Sequence, residues 1–211
     1  PPYSIKSWDR KAFESDPHGR NVWGTPPQGF ADYAFQQHIQ KSLDLGNGRS
    51  ISLWPHGILF RDSETDMRRK MIEQDQVECV IGLGPNLFYN SPMEACLLIT
   101  KTNKEESKKG KVLIINAVKE VRQDKNISYL EQNNIERIYN AYKNYADEDG
   151  FSKVVTIDEV LKHKASLNMA LYVSNVDSSK VQITLKDALA NWQTSSEQLS
   201  NSMDQLFKEL G

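Results

Sequence analysis

Between Gly48 and Lys101 the chain carries three short apolar runs of strand length, separated by turn residues and one helical pattern, and few folds accommodate that order. Arg49-Ser-Ile-Ser-Leu-Trp54 is closed by Pro55-His-Gly57 and reads as a buried strand. A helix follows from Ser63 to about Asp75. Ser63 is expected at its N-cap with Asp66 three residues on, Met67, Met71 and Ile72 forming one apolar stripe, and Arg68, Arg69 and Lys70 facing outward. Val77–Gly82 and Ala95–Thr100 are two further runs suited to a pleated, buried surface. Strand, helix, strand, loop, strand is half of an α/β sheet, whose other half is expected elsewhere.

Composition narrows the function classes. The chain has 211 residues, enough for one domain plus an appendage. Net charge is −2 with a pI near 6.1, so no global basic field attracts nucleic acid, and DNA contact must come from local cations or a partner. Apolar residues are 38% and mean hydropathy is −0.60, consistent with much exposed or interface surface. Cys79 and Cys96 both fall in predicted strands and are expected to be reduced core residues, not a disulfide. No apolar run reaches membrane-spanning length and no signal peptide is recognisable, which together with the reduced cysteines implies a cytoplasmic chain with no membrane partner. Its first residue is Pro, so the natural N-terminus is expected upstream. His18, His38, His56 and His163 are scattered without metal-ligand spacing, and no metal site is assigned. His56 reads as a polar turn residue at the carboxyl edge of the sheet.

Elsewhere the patterns are simpler. Asp9–Gly29 is loop-like, punctuated by Pro and Gly, and its cations are balanced by Asp9, Glu14 and Asp16. A helix is expected from about Phe30 to Leu43 with Ala31, Ala34, Phe35, Ile39 and Leu43 inward. Thr102–Lys111 reads as an exposed hairpin connection returning through Val112–Ala117. Residues 118–127 read as polar loop. Ser128 with Glu131 is a capping box opening a helix to about Ala146. Phe151–Ile157 is a short strand, Asp158–Leu161 starts a helix, and Asn168–Val173 is extended. Gly82-Leu-Gly84 lacks the following helix of a dinucleotide fingerprint.

The chain opens with Pro1-Pro2-Tyr3-Ser4. Two prolines remove two backbone donors and fix φ, giving a rigid loop of bare carbonyl acceptors followed by an aromatic face. Taken alone, such a run is more often a proline-rich linker end. The series that follows changes the balance: Trp23-Gly-Thr-Pro-Pro-Gln-Gly29-Phe-Ala-Asp32-Tyr-Ala-Phe35, Leu53–Arg61, Val80-Ile-Gly-Leu-Gly-Pro-Asn-Leu-Phe88-Tyr89 and Ala95–Ile99. In order and spacing these resemble the modification subunit of type I restriction–modification systems, from Pro1 to about Val173. Departures are Gly84, where the family more often has Pro, and Asn90-Ser-Pro-Met-Glu94 in place of a Gly-Thr-Gly-Ile-Pro segment.

The resemblance implies a Rossmann-like class I methyltransferase sheet, here its C-terminal half with one antiparallel strand, plus a helical tail. With strand lengths it implies that 51–54 and 77–82 are parallel with 95–100 antiparallel between them. It also implies transfer of methyl from S-adenosylmethionine to adenine N6 in DNA. The family's Asn before Pro1, and a cofactor-holding Gly loop and acidic residue, would precede this chain, so the chain alone is expected to be inactive. Pro1 and Pro2 would supply the acceptor loop around the amino group, and Tyr3 would stack on the flipped-out base. Phe88 is the preferred second aromatic over Tyr89, although a core plug is an equal reading of it. Lys6, Arg10 and Lys11 are candidate phosphate contacts, with Arg20 nearby.

In the tail, Leu185, Leu189, Trp192, Ser196, Leu199, Met203, Leu206 and Leu210 recur at intervals of 4, 3, 4, 3, 4, 3 and 4, a heptad seam that Thr184 can cap. Residues 176–211 thus read as a docking helix on a catalytic part ending near Asn175, with Leu189, Trp192, Leu199, Met203 and Leu206 as contacts. A helix folded back on its own domain would bury the same stripe. The partners implied are DNA, the specificity subunit and, in the full complex, the restriction subunit, with self-association through the helix as a further possibility. The competing readings are a non-catalytic assembly module and a methyltransferase for RNA or protein glutamine.

Overall fold

The computed structural model describes residues 2–88, 91–125, 127–173 and 185–210, the last span without the side chains of residues 185–187, 205, 206, 209 and 210. The chain divides into two compact units, residues 1–175 and 176–211.

In the first unit a short helix α1 (Arg10–Glu14) and helix α2 (Asp32–Lys41) precede strand β1 (Arg49–Pro55). Helix α3 (Thr65–Glu73) leads to β2 (Val77–Leu83), β3 (Ala95–Lys101) and β4 (Lys111–Ala117). A small antiparallel hairpin, β5 (Arg122–Asp124) and β6 (Ile127–Tyr129), forms where residues 118–127 read as polar loop, and helix α4 (Gln132–Asn144), strand β7 (Ser152–Thr156) and helix α5 (Ile157–Lys162) complete the unit. The main sheet has the order β1-β3-β2-β4-β7. β3 is antiparallel to both β1 and β2, so those two run parallel with β3 between them, as the strand lengths and the resemblance imply.

The expected single antiparallel strand needs correcting. β7 is a second one, paired to β4, and among the described residues the one parallel ladder joins β2 to β4. The sheet is mixed and mostly antiparallel in its pairing. The hairpin expected at Thr102–Lys111 is not formed either, because β4 skips past β3 and pairs on the far side of β2. The connection is held instead by Lys104, which is buried and donates to Asp75 at 2.6 Å and to the Lys111 carbonyl at 2.7 Å. Two apolar layers lie on the two faces. One gathers Trp54, Val80, Leu98 and Ile114 with residues of α2, α3 and α5, and the other gathers Cys79, Ile81, Ile99, Leu113 and Ile115 with Ala141 of α4.

Several local expectations fail for physical reasons. α2 packs Phe35 and Ile39 partly buried against the first layer, as the periodicity implies, but it buries Gln36, Gln37 and Gln40 more deeply. Gln36 accepts from Ser52 Oγ and Trp54 Nε1, both at 3.0 Å, and Gln40 accepts from Thr100 Oγ1 at 3.1 Å. Buried hydroxyl and indole donors on β1 and β3 need acceptors, and the helix supplies them. Arg68 does not face outward: it is 1% exposed. Its guanidinium donates to the carbonyls of Ala165 at 2.6 Å and Arg61 at 3.1 Å. Ser63 is no cap, since residues 62–64 form a 3-10 turn and Glu64 precedes α3. For α4 the capping box is Glu131 with Asn134, not Ser128, which lies in β6. Residues 169–171 form a 3-10 turn where an extended segment was expected.

The second unit contains helix α6 (Leu185–Leu210), 26 residues long, which at about 1.5 Å per residue spans roughly 39 Å. Leu189, Trp192, Leu199, Met203 and Phe207 are exposed along it. Thr184 and the side chains of Leu185, Leu206 and Leu210 lie outside the described residues.

Candidate functional site

The carboxyl ends of the parallel strands β1, β2 and β4 lie along one edge of the sheet, and β3 begins there, with Pro55 opposite Ala95 and Leu83 opposite Ala95. The N-terminal loop reaches this edge. Burial raises the Tyr3 phenol above its ordinary pKa, with a smaller contribution from Cys96, which sits opposite Trp54 and Gly82. The ring is half-buried, leaving part of its surface open, while Pro2 is exposed. Pro1 lies outside the described residues.

Ser4 holds this loop in place. Its backbone N–H donates to Asp32 Oδ1 at 2.7 Å and its hydroxyl to Oδ2 at 3.2 Å. Ser4 has φ of +46°, a left-handed conformation that a residue with a β-carbon adopts at a cost. Asp32, the first residue of α2, is fully buried and also accepts from Arg61 Nη2. A carboxylate in the first turn of a helix is favoured by the helix dipole. Arg61 lies 4.2 Å above the Phe30 ring and its Nε stands 3.1 Å from Glu64 Oε2, close enough for an ion pair without hydrogen-bond alignment. Glu64 is fully buried, and burial raises its pKa to about 7 against the opposing pull of Arg61.

Downstream, Asp9–Gly29 is less loop-like than its composition implies, because it contains α1 capped by Asp9. Trp23 is 1% exposed, and Gln37 accepts from its backbone N–H at 2.7 Å and donates to the Gly24 carbonyl at 2.9 Å. Trp8 and Gln28 bond to one another's carbonyls at 3.0 Å, closing the segment on itself.

Phe88, on the loop between β2 and β3, packs partly buried against the second apolar layer and bridges to Ser91. Cys96, near Tyr3, belongs to the first layer. Phe88 thus packs on the second layer, whereas the cysteine that acts on Tyr3 belongs to the first. Tyr89 and Asn90 lie outside the described residues. His56 stands 3.0 Å from Glu94, and burial lowers its pKa against the opposing charge of Glu94. Lys6 and Lys11 are exposed. Arg10 is partly engaged, donating to the Pro26 carbonyl at 3.0 Å with Glu14 3.8 Å away, and Arg20 is tied to Asp16. Arg10 thus serves loop structure before any phosphate.

The two strand-end glycines do not make a cofactor cradle. A β-carbon at Gly82 would meet Met169 Sδ at 2.0 Å, and one at Gly84 would meet the Val118 carbonyl oxygen at 2.5 Å, so protein atoms already fill both spaces. Among the described residues no cluster of three or more His, Cys, Asp and Glu is placed to hold a metal. No described helix is long and apolar enough to cross a membrane.

The chain matches the N-6 DNA Methylase family model over residues 1–190. The type I restriction enzyme MjaVIII methylase subunit of Methanocaldococcus jannaschii is 34% identical over 186 residues, covering 85% of this chain and 32% of that protein. The MjaVII methylase subunit of the same organism is 30% identical over 217 residues, covering 98% of this chain and 37% of that protein. This chain spans about a third of the length of these relatives. The solved type I restriction-modification system methyltransferase subunit from Streptococcus thermophilus superposes with a TM-score of 0.75 at 33% identity, covering 82% of this chain and 36% of that one. The EcoKI M protein shares the fold, with a TM-score of 0.54 at 18% identity over 90% of this chain and 46% of its own. A match this long places the chain in the N-6 DNA methylase family, among sequences similar to type I restriction enzyme methylase subunits.

Proposed function

We propose that this chain supplies the target-base side of a DNA methyltransferase that modifies adenine at N6 within a type I restriction–modification system. The observation that carries the reading is the half-buried Tyr3 on its proline-fixed loop, held at the carboxyl edge where α/β folds place their sites. S-adenosylmethionine supplies the methyl group, and its holding residues are assigned to segments other than this chain, in keeping with the filled spaces at Gly82 and Gly84. The Pro1 carbonyl accepts from the adenine amino group, favouring the pyramidal, nucleophilic form. Tyr3 stacks on the extruded base and Phe88 bounds its edge. Lys6 and Lys11 meet phosphates, with Arg10 a lesser contributor. The isolated chain is inactive on this reading.

The tail carries the second part of the proposal. α6 is a docking helix for the specificity subunit, using Leu189, Trp192, Leu199, Met203 and Leu206, and the restriction subunit joins through the assembled complex. The exposure of Trp192 and Leu199 at 66% and 63% supports a helix awaiting a partner. Phe207, also exposed, extends the stripe beyond the heptad positions. Without the specificity subunit the same seam is available for self-pairing.

The test is methyl transfer by the complete subunit containing this chain, assembled with its specificity subunit. Tyr3→Ala should lower kcat by about a hundredfold at unchanged thermal stability, the scale expected when a reacting group loses its orientation. Unchanged methylation at matched stability removes Tyr3 from the site and leaves the assembly-module reading.

A further inference from the structure

We propose that Asp32 is a positioning residue for the target-base loop, fixing Tyr3 through both of its carboxylate oxygens on Ser4; the inference rests on the methyl-transfer reading above. Four observations converge. Ser4 directly follows Tyr3 and is one of the non-glycine residues held at positive φ. Such conformations persist where the surroundings over-determine them. The over-determination here is explicit: Asp32 takes the Ser4 amide at 2.7 Å and the hydroxyl at 3.2 Å, so rotation about either φ or χ1 of Ser4 breaks a bond to a charged acceptor. Asp32 is itself fully buried and cannot follow the loop into solvent. Finally Arg61, stacked on Phe30, holds the second carboxylate oxygen from the other side.

The arrangement is more than core packing. A buried carboxylate needs compensating donors, and among the described residues two of its three come from a loop residue whose neighbours Pro2 and Tyr3 are at least partly open to solvent. The direction of the Tyr3 ring depends on the peptide that Ser4 anchors. The tether runs from that peptide through Asp32 and Arg61 to Glu64 just ahead of α3, so the loop is referenced to the rigid layer packed on the sheet.

Two measurements test this with Asp32→Asn and Ser4→Gly. Asn keeps the volume but turns an amide donor toward Arg61 or Ser4. Gly keeps the Ser4 amide, loses the hydroxyl and relieves the positive φ, so it preserves folding even if the Asn variant does not. In the 211-residue chain, hydrogen exchange at the Ser4 amide should be slow in the parent and accelerate by about tenfold or more in Asp32→Asn, whose acceptor is no longer charged. In the complete subunit, kcat for DNA methylation should fall about tenfold in Asp32→Asn and by a smaller factor in Ser4→Gly, with KM for DNA within about twofold of the parent. A folded Asp32→Asn variant with parental kcat, or Ser4→Gly with parental kcat when Asp32→Asn does not fold, overturns the inference. So does a Ser4 amide that exchanges freely in the parent. If the parent subunit transfers no methyl at all, the functional reading fails, while the amide measurement still decides whether Asp32 anchors the loop.

Discussion

Replacing Gly82 with Ala should destabilise the first unit through a single identifiable collision. The new β-carbon would lie 2.0 Å from Met169 Sδ and 2.6 Å from its Cε. Ordinary carbon contacts are about 3.5–4.0 Å, so Met169 must retreat by roughly 1.5–2 Å. It has little room, being 4% exposed inside the first apolar layer. A methionine adapts better than a branched side chain, so the cost should be about 1–3 kcal/mol, the usual range for overpacking. Met169→Ala alone should cost about 2–5 kcal/mol by leaving a cavity. In the double variant the alanine at 82 occupies part of that cavity, and the combined loss should fall short of the sum by about 1–2 kcal/mol. Urea denaturation followed by circular dichroism on the four proteins gives the cycle. Additivity within about 0.5 kcal/mol would mean that the two side chains do not share one space.

Three further outcomes follow from the same geometry. Glu64 titrates near 7 in the folded chain against an ordinary 4.5, so the native state keeps the proton longer and its contribution to stability falls as pH rises between those values, by at most roughly 3 kcal/mol. Glu64→Gln should flatten that part of the stability profile. His56, whose pKa is lowered, works in the opposite sense below its ordinary 6.5, so the difference between parent and variant isolates Glu64, and a flat difference would contradict the assignment. Arg68→Met should cost about 3–5 kcal/mol in chemical denaturation, because the carbonyls of Ala165, Arg61 and Ile58 lose a buried charged donor, and a loss under about 1 kcal/mol would show that water replaces it. Ending the chain after Asn175 should leave a folded first unit that no longer co-purifies with the specificity subunit; full-affinity binding by the truncated protein would return α6 to a structural role.

The strands of the main sheet were legible because each is an apolar run bounded by breakers, and the order β1-β3-β2 followed once β3 was recognised as antiparallel, whereas the polar, exposed β5 left no such signal. Residues that break the simple rule that polar side chains face water were not legible. Gln36, Gln40 and Arg68 are buried because facing strands and loops offer them donors or carbonyls, and nothing in the periodicity of α2 or α3 announces such partners. The expected hairpin failed for a related reason. A polar loop gives no sign of whether the next strand pairs with its predecessor or skips a neighbour, nor that Lys104 within it is buried against Asp75 and the Lys111 carbonyl. The proposed base-stacking aromatic stood in the sequence as Pro-Pro-Tyr, but its anchor did not. Ser4 and Asp32 are 28 residues apart, and only folding shows that one holds the other.

On the proposed reading Tyr3 and its loop present an adenine amino group to a methyl donor. The direct measurement is the product. DNA carrying the recognition sequence is incubated with the complete subunit, its specificity subunit and isotopically labelled S-adenosylmethionine, then digested to nucleosides and resolved by mass spectrometry. Label should appear in N6-methyladenine, with Tyr3→Ala reducing it by about a hundredfold while the protein remains folded. Label in cytosine, in RNA or in protein, or undiminished N6-methyladenine from folded Tyr3→Ala, would contradict that reading.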